Sequence, residues 1–324
     1  MWAVFFVGCG PSRLDLKSLT VQKSFTLDGI GTAYSIVLNK DVAFVSDRAG
    51  FRSYRLNNGD DAVELATYLV EPQSSQSNQP LALKGTLLAV AHGSRIVLVD
   101  VSDPAAPKTL STLAISSEGT GHGLAFDGDY LYWGGINLQR AKVTDPSQPG
   151  MPEVIFGSQV TTLLIRNGRI YASGIDTLFI LDLPNPAIEH AAAPTVGTAA
   201  VGNAGALILN GTALYGSVGG LGNVHVVDVK DPAHPVVVHK VEGSQGGFNG
   251  AGSGLLLQGT QLLAPSLTDL TYDYDVSDPL EPKDVGSRLI ARGYDGQSNF
   301  DVARSGDLLL LANTRGFLIL APTL

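Results

Sequence analysis

The chain repeats itself. The string IVLVDVSDPAAP ends in Asp103-Pro104 and Pro107, and its relatives end in Asp145-Pro146, Asn185-Pro186, Asp231-Pro232 and Asp278-Pro279. Successive Asp or Asn positions lie 42, 40, 46 and 47 residues apart. Self-similarity at such a period marks an array of equal structural units. Each copy follows a second recurring string with glycine near its centre: LALKGTLLAVA, LAFDGDYLYWG, LLIRNGRIYAS, LILNGTALYGS, LLLQGTQLLAP and DVARSGDLLLLA. An upstream relative, IVLNKDVAFVS, carries Lys40 in place of that glycine. Asn-Gly and Asp-Gly pairs between apolar runs favour the φ > 0 two-residue turns of antiparallel hairpins.

One unit therefore reads strand A, tight turn, strand B, loop, strand C, Asp-Pro turn, strand D. In the Asp-Pro element the carboxylate folds onto the following backbone N–H groups, and proline presets φ for the next turn position. The second proline enters strand D, the outermost, whose outward N–H groups have no ladder partner to lose. These Asp residues are read as turn chemistry, not as ligands.

Four antiparallel strands in about 45 residues make one propeller blade. Units begin near residues 33, 78, 121, 161, 204, 252 and 299, which predicts an all-β, seven-bladed β-propeller of four-stranded antiparallel blades. The last unit stops at GFLILAPTL, after its strand C. Residues 17–27, KSLTVQKSFTL, alternate apolar and polar and are positioned to supply the missing outer strand. The last blade is thus expected to be closed by the N-terminal strand, since an unpaired edge would otherwise remain at the seam. The expected organisation is a signal-like tether over 1–16 and a single propeller domain over 17–324.

Composition narrows the function classes. A net charge of −9 and the lack of any Lys/Arg cluster argue against a nucleic-acid partner, whose phosphates need a basic surface. The one cysteine, Cys9, closes the run Phe6-Val7-Gly8-Cys9, similar to a bacterial lipobox, in which the thiol takes a lipid. Phe6 stands where Leu is usual, and no Lys or Arg precedes the apolar run. The expectation is an exported cell-envelope protein, lipid-anchored at Cys9 and touching the membrane only through that anchor. The alternative is a cytoplasmic protein with an apolar N-terminus.

The strings IVLVDVSDPAAP, VHVVDVKDPAHP and YDYDVSDPLEP resemble the LVIVD repeat, named for its strand-C core. The resemblance spans residues 30–324 and implies a largely bacterial and archaeal group of propeller proteins, often exported or surface-attached. It implies no catalytic residues. Arg55, Lys142 and Leu320 depart from the pattern, near or at the position held by Asp100, Asp182, Asp228 and Asp275.

In a propeller the D–A and B–C loops share the face around the channel mouth, and variable loops carry function. Alignment on the turn glycine places Asn78, Gln79, His122, Thr161, Thr162, Ser253 and Asn299 there, with Asn203 nearby. The B–C loops add Asp47, Arg48, His92, Trp133, Asp176, Asp269 and Arg315. Such a ring of amides, hydroxyls, imidazoles and a Trp suits a protein, a glycan or a small polar ligand. Only His92 and His122 of the six histidines share that face; no HExxH spacing, Walker loop or GxSxG elbow occurs, and no metal or cofactor is expected. The leading expectation is a monomeric, non-enzymatic binding or interaction module. The alternative is a propeller hydrolase, lactonase or oxidoreductase with a metal or cofactor at the channel mouth.

Overall fold

The computed structural model describes residues 13–25, 32–57, 62–70, 79–115, 123–186, 188, 191–219, 222–242, 254–266, 270–290, 299–314 and 316–322. Hairpin turns set the repeat. Gly85, Gly128, Gly168, Gly211, Gly259 and Gly306 all take positive φ at the A–B turn. Lys40 stands in for glycine in the first unit and also takes φ 55°. A non-glycine side chain there costs on the order of 1 kcal/mol, offset by the sheet on either side.

The strands assemble into seven four-stranded antiparallel sheets, six of them in simple A-B-C-D order. The innermost strands are Ile36–Asn39, Leu81–Lys84, Leu124–Asp127, Thr162–Arg166, Ala204–Asn210, Leu256–Gln258 and Asn299–Ser305. Each touches the innermost strand of the next sheet, and the seventh touches the first, so the ring is closed. These sheets are blades 1 to 7. Blade 7 is composite: its outer strand is Leu19–Phe25, paired antiparallel with Gly316–Pro322 from Leu19↔Pro322 to Phe25↔Phe317. The N-terminal strand closes the last blade, as expected from its alternating pattern.

Burial follows position in the blade. Strand B is sandwiched by both neighbouring blades, so Val42–Asp47 and Leu308–Asn313 are buried at every residue. Strand D alternates, as in Val236–Val241, because one side faces water. The core is seven clusters, one at each junction between adjacent blades. Phe317, Tyr54 and Ala43 join blades 7 and 1, for example, and Leu263, Leu309 and Leu19 join blades 6 and 7.

The Asp-Pro element does more than turn the chain. Its carboxylates accept backbone N–H groups two residues on, as in Ser102 to Asp100 (2.9 Å) and Ala105 to Asp103 (3.0 Å). The hydrogen bond from Ser102 holds Asp100 below the usual carboxylate range, and the Ser277 hydroxyl does the same for Asp275. All five motif prolines then present their carbonyls to the preceding blade. Ser53 donates to Pro104 (2.6 Å), Ser111 to Pro146 (2.6 Å), Tyr130 to Pro186 (3.2 Å) and Tyr215 to Pro279 (2.8 Å). At the fifth, Gly197 lies flush: a Cβ there would stand 2.2 Å from the Pro232 oxygen. Each turn thus latches its blade to the one before.

Removing one latch strands a part-buried carbonyl, which costs about 1–2 kcal/mol. Ser53→Ala is expected to lower stability by that amount in a urea titration. An unchanged midpoint would show the latch to be decorative.

Candidate functional site

The innermost strands begin on the D–A loop face, and their first residues converge on the axis. There they enclose a cavity of about 200 Å³. Tyr34, Gln79, Thr162, Gly205, Gly254 and Phe300, from six different blades, all line it. Asp301 is the one carboxylate among the lining residues. Its Oδ2 accepts from the Ile36 N–H and its Oδ1 from its neighbour Val302, both at 2.9 Å, so it bridges the seam between blades 7 and 1. The Tyr34 and Phe300 rings stand beside it, centroids 5.3 Å apart and tilted by 47°.

Glycine shapes the wall. A Cβ on Gly254 would sit 2.2 Å from Asp301 Oδ1, so only glycine fits against that oxygen. Gly254 N–H also bonds the Phe300 carbonyl at 2.8 Å, drawing the chain up to the carboxylate.

Burial pushes Asp301 up to about 6, against the pull of the Ile36 and Val302 N–H groups and the Ser35 hydroxyl. Its folded pKa stands above the unfolded value. The group therefore favours the fold at pH below the unfolded pKa, near 4, and that contribution is lost as pH rises through about 6. Raising this carboxyl from its ordinary value to about 6 corresponds to roughly 3 kcal/mol. Stability measured by urea titration should accordingly fall by about 2–3 kcal/mol more in the natural protein than in Asp301→Asn between pH 4 and pH 7. Parallel pH profiles would contradict this assignment.

Of the residues singled out from sequence, Gln79 and Thr162 line the cavity. Gln79 Nε2 donates to the Arg48 carbonyl at 3.0 Å, and its buried Oε1 has no partner among the described residues. His92 lies beside it, its Nε2 at 3.1 Å from the same carbonyl, and burial lowers its pKa. Arg48 Nε donates to the Tyr34 hydroxyl at 2.9 Å.

Asp47 is occupied in its own turn, accepting from the Ala49 and Gly50 N–H groups, and it pairs with Arg52 Nε at 3.3 Å. Trp133 is 2% exposed and packs in the cluster between blades 2 and 3, so its ring has no open face for stacking. Thr161 bonds the Ser173 carbonyl, Asp176 is exposed, and Asn203 is partly buried, its buried Oδ1 without a partner among the described residues. Asn299 begins the innermost strand of blade 7. Asn78, His122, Ser253, Asp269, Arg315 and Cys9 lie outside the described residues. Among the described residues no group of three or more His, Cys, Asp or Glu has the arrangement to hold a metal ion. No helix among them is long and apolar enough to cross a membrane.

Sequence reasoning missed Tyr34, Ser35, Phe300 and Asp301. For Asp301 a signal existed: it stands two residues after Asn299 in an alternating strand. A register shift between the two, opposite Asn313 and Ala312, re-aims the side chains and hid it.

No protein-family model matches the chain, and no curated protein does. Solved structures do. The WD40 β-propeller domain of Doa1 is similar over 93% of this chain and 96% of its own, with TM-score 0.67 and 11% identity. The β-propeller domain of Cps50 (Swd1) from Myceliophteria thermophila is similar over 93% of this chain and 100% of its own, with TM-score 0.68 and 11% identity. The chain is a seven-bladed β-propeller. At this identity the likeness to either structure carries the fold alone. The propeller's cavity lies where the seven innermost strands begin, on the face opposite the Asp-Pro turns.

Proposed function

We propose that the propeller is a non-enzymatic binding module of LVIVD-repeat type, tethered to the cell envelope through Cys9. Its ligand, a protein, a glycan or a small polar molecule, is held at the channel mouth. The observation that carries this reading is the convergence of six blades on one cavity with neutral polar, aromatic and glycine walls. Its single carboxylate is held in place by backbone N–H groups and a serine.

The tether fits this reading. Arg13 pairs with Asp273 at 2.8 Å, and Gln261 clasps both the N–H and the carbonyl of Leu14 at 2.9 Å. Gln261 opens strand B of blade 6, on the Asp-Pro face. Cys9 precedes Arg13 by four residues, a reach of at most about 14 Å. A lipid on Cys9 then turns the Asp-Pro face toward the bilayer and leaves the mouth free.

A glycan, peptide and metabolite screen tests the reading. Compounds retained by the natural protein should bind at least tenfold more weakly to Ala206→Phe, which fills the cavity, and normally to Asp231→Ala on the opposite face. Retained compounds indifferent to Ala206→Phe would refute a site at the mouth, and turnover of any of them would refute a pure binder. Fatty-acid labelling of cells that is lost in Cys9→Ser supports the tether; labelling that survives, or none at all, contradicts it.

A further inference from the structure

The chemistry of the cavity wall points to one kind of ligand group. The wall's one charged lining group is a carboxylate. Asp301 offers two oxygens, and a carboxylate has roughly four lone-pair sites. Ile36, Val302 and Ser35 occupy three of these. Gly254 packs against Oδ1 so closely that any Cβ there would collide with it, so a larger residue would be driven into the carboxylate. Tyr34 and Phe300 set two aromatic rings against the same space, and ring faces attract cations. The nearby cation, Arg48, is not part of the wall and is engaged with the Tyr34 hydroxyl. At about 200 Å³ the cavity is smaller than the roughly 300–1,000 Å³ of pockets for drug-sized ligands, so it suits a single functional group on a short stem.

Resting on the reading of the mouth as a binding site, we propose that this cavity takes an ammonium or guanidinium group, carried by a small organic cation or by a basic side chain of a peptide. The group sits against Asp301 and beside the Tyr34–Phe300 ring pair, which lines the same cavity. The carboxylate, desolvated and drawn toward neutrality when alone, is held ionised by the bound charge. Among the described residues, the Ile36 and Val302 N–H groups and the Ser35 hydroxyl are the polar groups that bear on that carboxylate.

The test is calorimetric titration with agmatine, with an end-blocked arginine tetrapeptide, and with butylurea and butyrate as neutral and anionic controls. Agmatine, the peptide or both should bind at pH 8, and at least tenfold more weakly at pH 5, where Asp301 is protonated. Asp301→Asn should lose at least tenfold, and Phe300→Leu, which keeps the carboxylate, several-fold. Binding of agmatine and the peptide alike assigns the site to the charged group itself, whereas binding of the peptide alone assigns it to a basic side chain. Failure of both cations, or binding of butylurea as tight as theirs, overturns the proposal. If only butyrate or a glycan from the screen binds, and Ala206→Phe abolishes it, the cation assignment fails while the mouth remains the site. Cation binding unaffected by Ala206→Phe sinks both.

Discussion

Deleting residues 1–25 is expected to leave a chain that no longer unfolds in one cooperative step and that aggregates at room temperature. The deletion strips blade 7 of its outer strand, leaving Gly316–Pro322 as an unpaired apolar edge. It also removes Leu16 and Leu19, both buried between blades 6 and 7, and Phe25, which stacks on Phe317 and meets Tyr54 across the seam. Each such side chain contributes about 1.5–3 kcal/mol, so their loss is on the order of the 5–15 kcal/mol that keeps a domain folded. Urea titration followed by near-UV circular dichroism reads the outcome. A peptide of residues 13–25 added in trans should restore cooperativity, because the lost element is one strand. A truncated chain with the natural midpoint would show that the seam contributes little.

The second large effect is expected at Arg140. This side chain is almost wholly buried between blades 3 and 4. It pairs with Glu153 at 3.2 Å, donates to the Pro184 and Ile188 carbonyls at 3.5 and 3.3 Å, and lies 4.4 Å from the Tyr130 ring centroid. Removing one partner of a buried pair leaves an uncompensated charge and costs about 3–5 kcal/mol. Arg140→Ala should therefore lower stability by that amount in urea, with the damage centred on the junction of blades 3 and 4. Arg140→Met combined with Glu153→Gln should cost clearly less than Arg140→Ala, since neither charge is then stranded. Equal losses would mean that packing, not charge pairing, holds this junction.

Much of the fold was legible in the sequence because its determinants are local. Positive-φ turns, period-two alternation and Asp-Pro chemistry each act within a few residues, and copying the turns seven times and the Asp-Pro element five times makes the signal hard to miss. Even the seam was readable, because an orphan strand C at one end matched an orphan alternating strand at the other. The interblade latches were not. Their donors sit on strands B, C or D and lie 35 to 64 residues from the proline they bind, so no fixed spacing announces them. Arg55 and Lys142 make the same point. Each pairs with the first residue of strand B, Val42 and Tyr130, just as Asp100 pairs with Leu87, so the departures changed the residue and not the register.

The site was legible only where the turn glycine served as a ruler. Gln79 and Thr162 lie at the cavity because their strands run regularly from mouth to turn. Asp301 escaped because a register shift moved it. Asp47 and Trp133 drew attention through residue type, yet one is saturated by its own turn and its arginine and the other is packed between blades. Polar or aromatic identity alone does not separate a rim residue from one buried a few ångströms beneath it.

On the reading proposed above, ligand binds at the start of the innermost strands. Hydrogen–deuterium exchange with and without saturating agmatine at pH 8 tests it most directly. Protection is predicted in peptides spanning residues 33–38, 79–84, 162–166 and 299–304, with the Asp-Pro turns at 100–107, 145–149 and 275–282 unchanged. Protection confined to those turns, or none anywhere, would contradict the account.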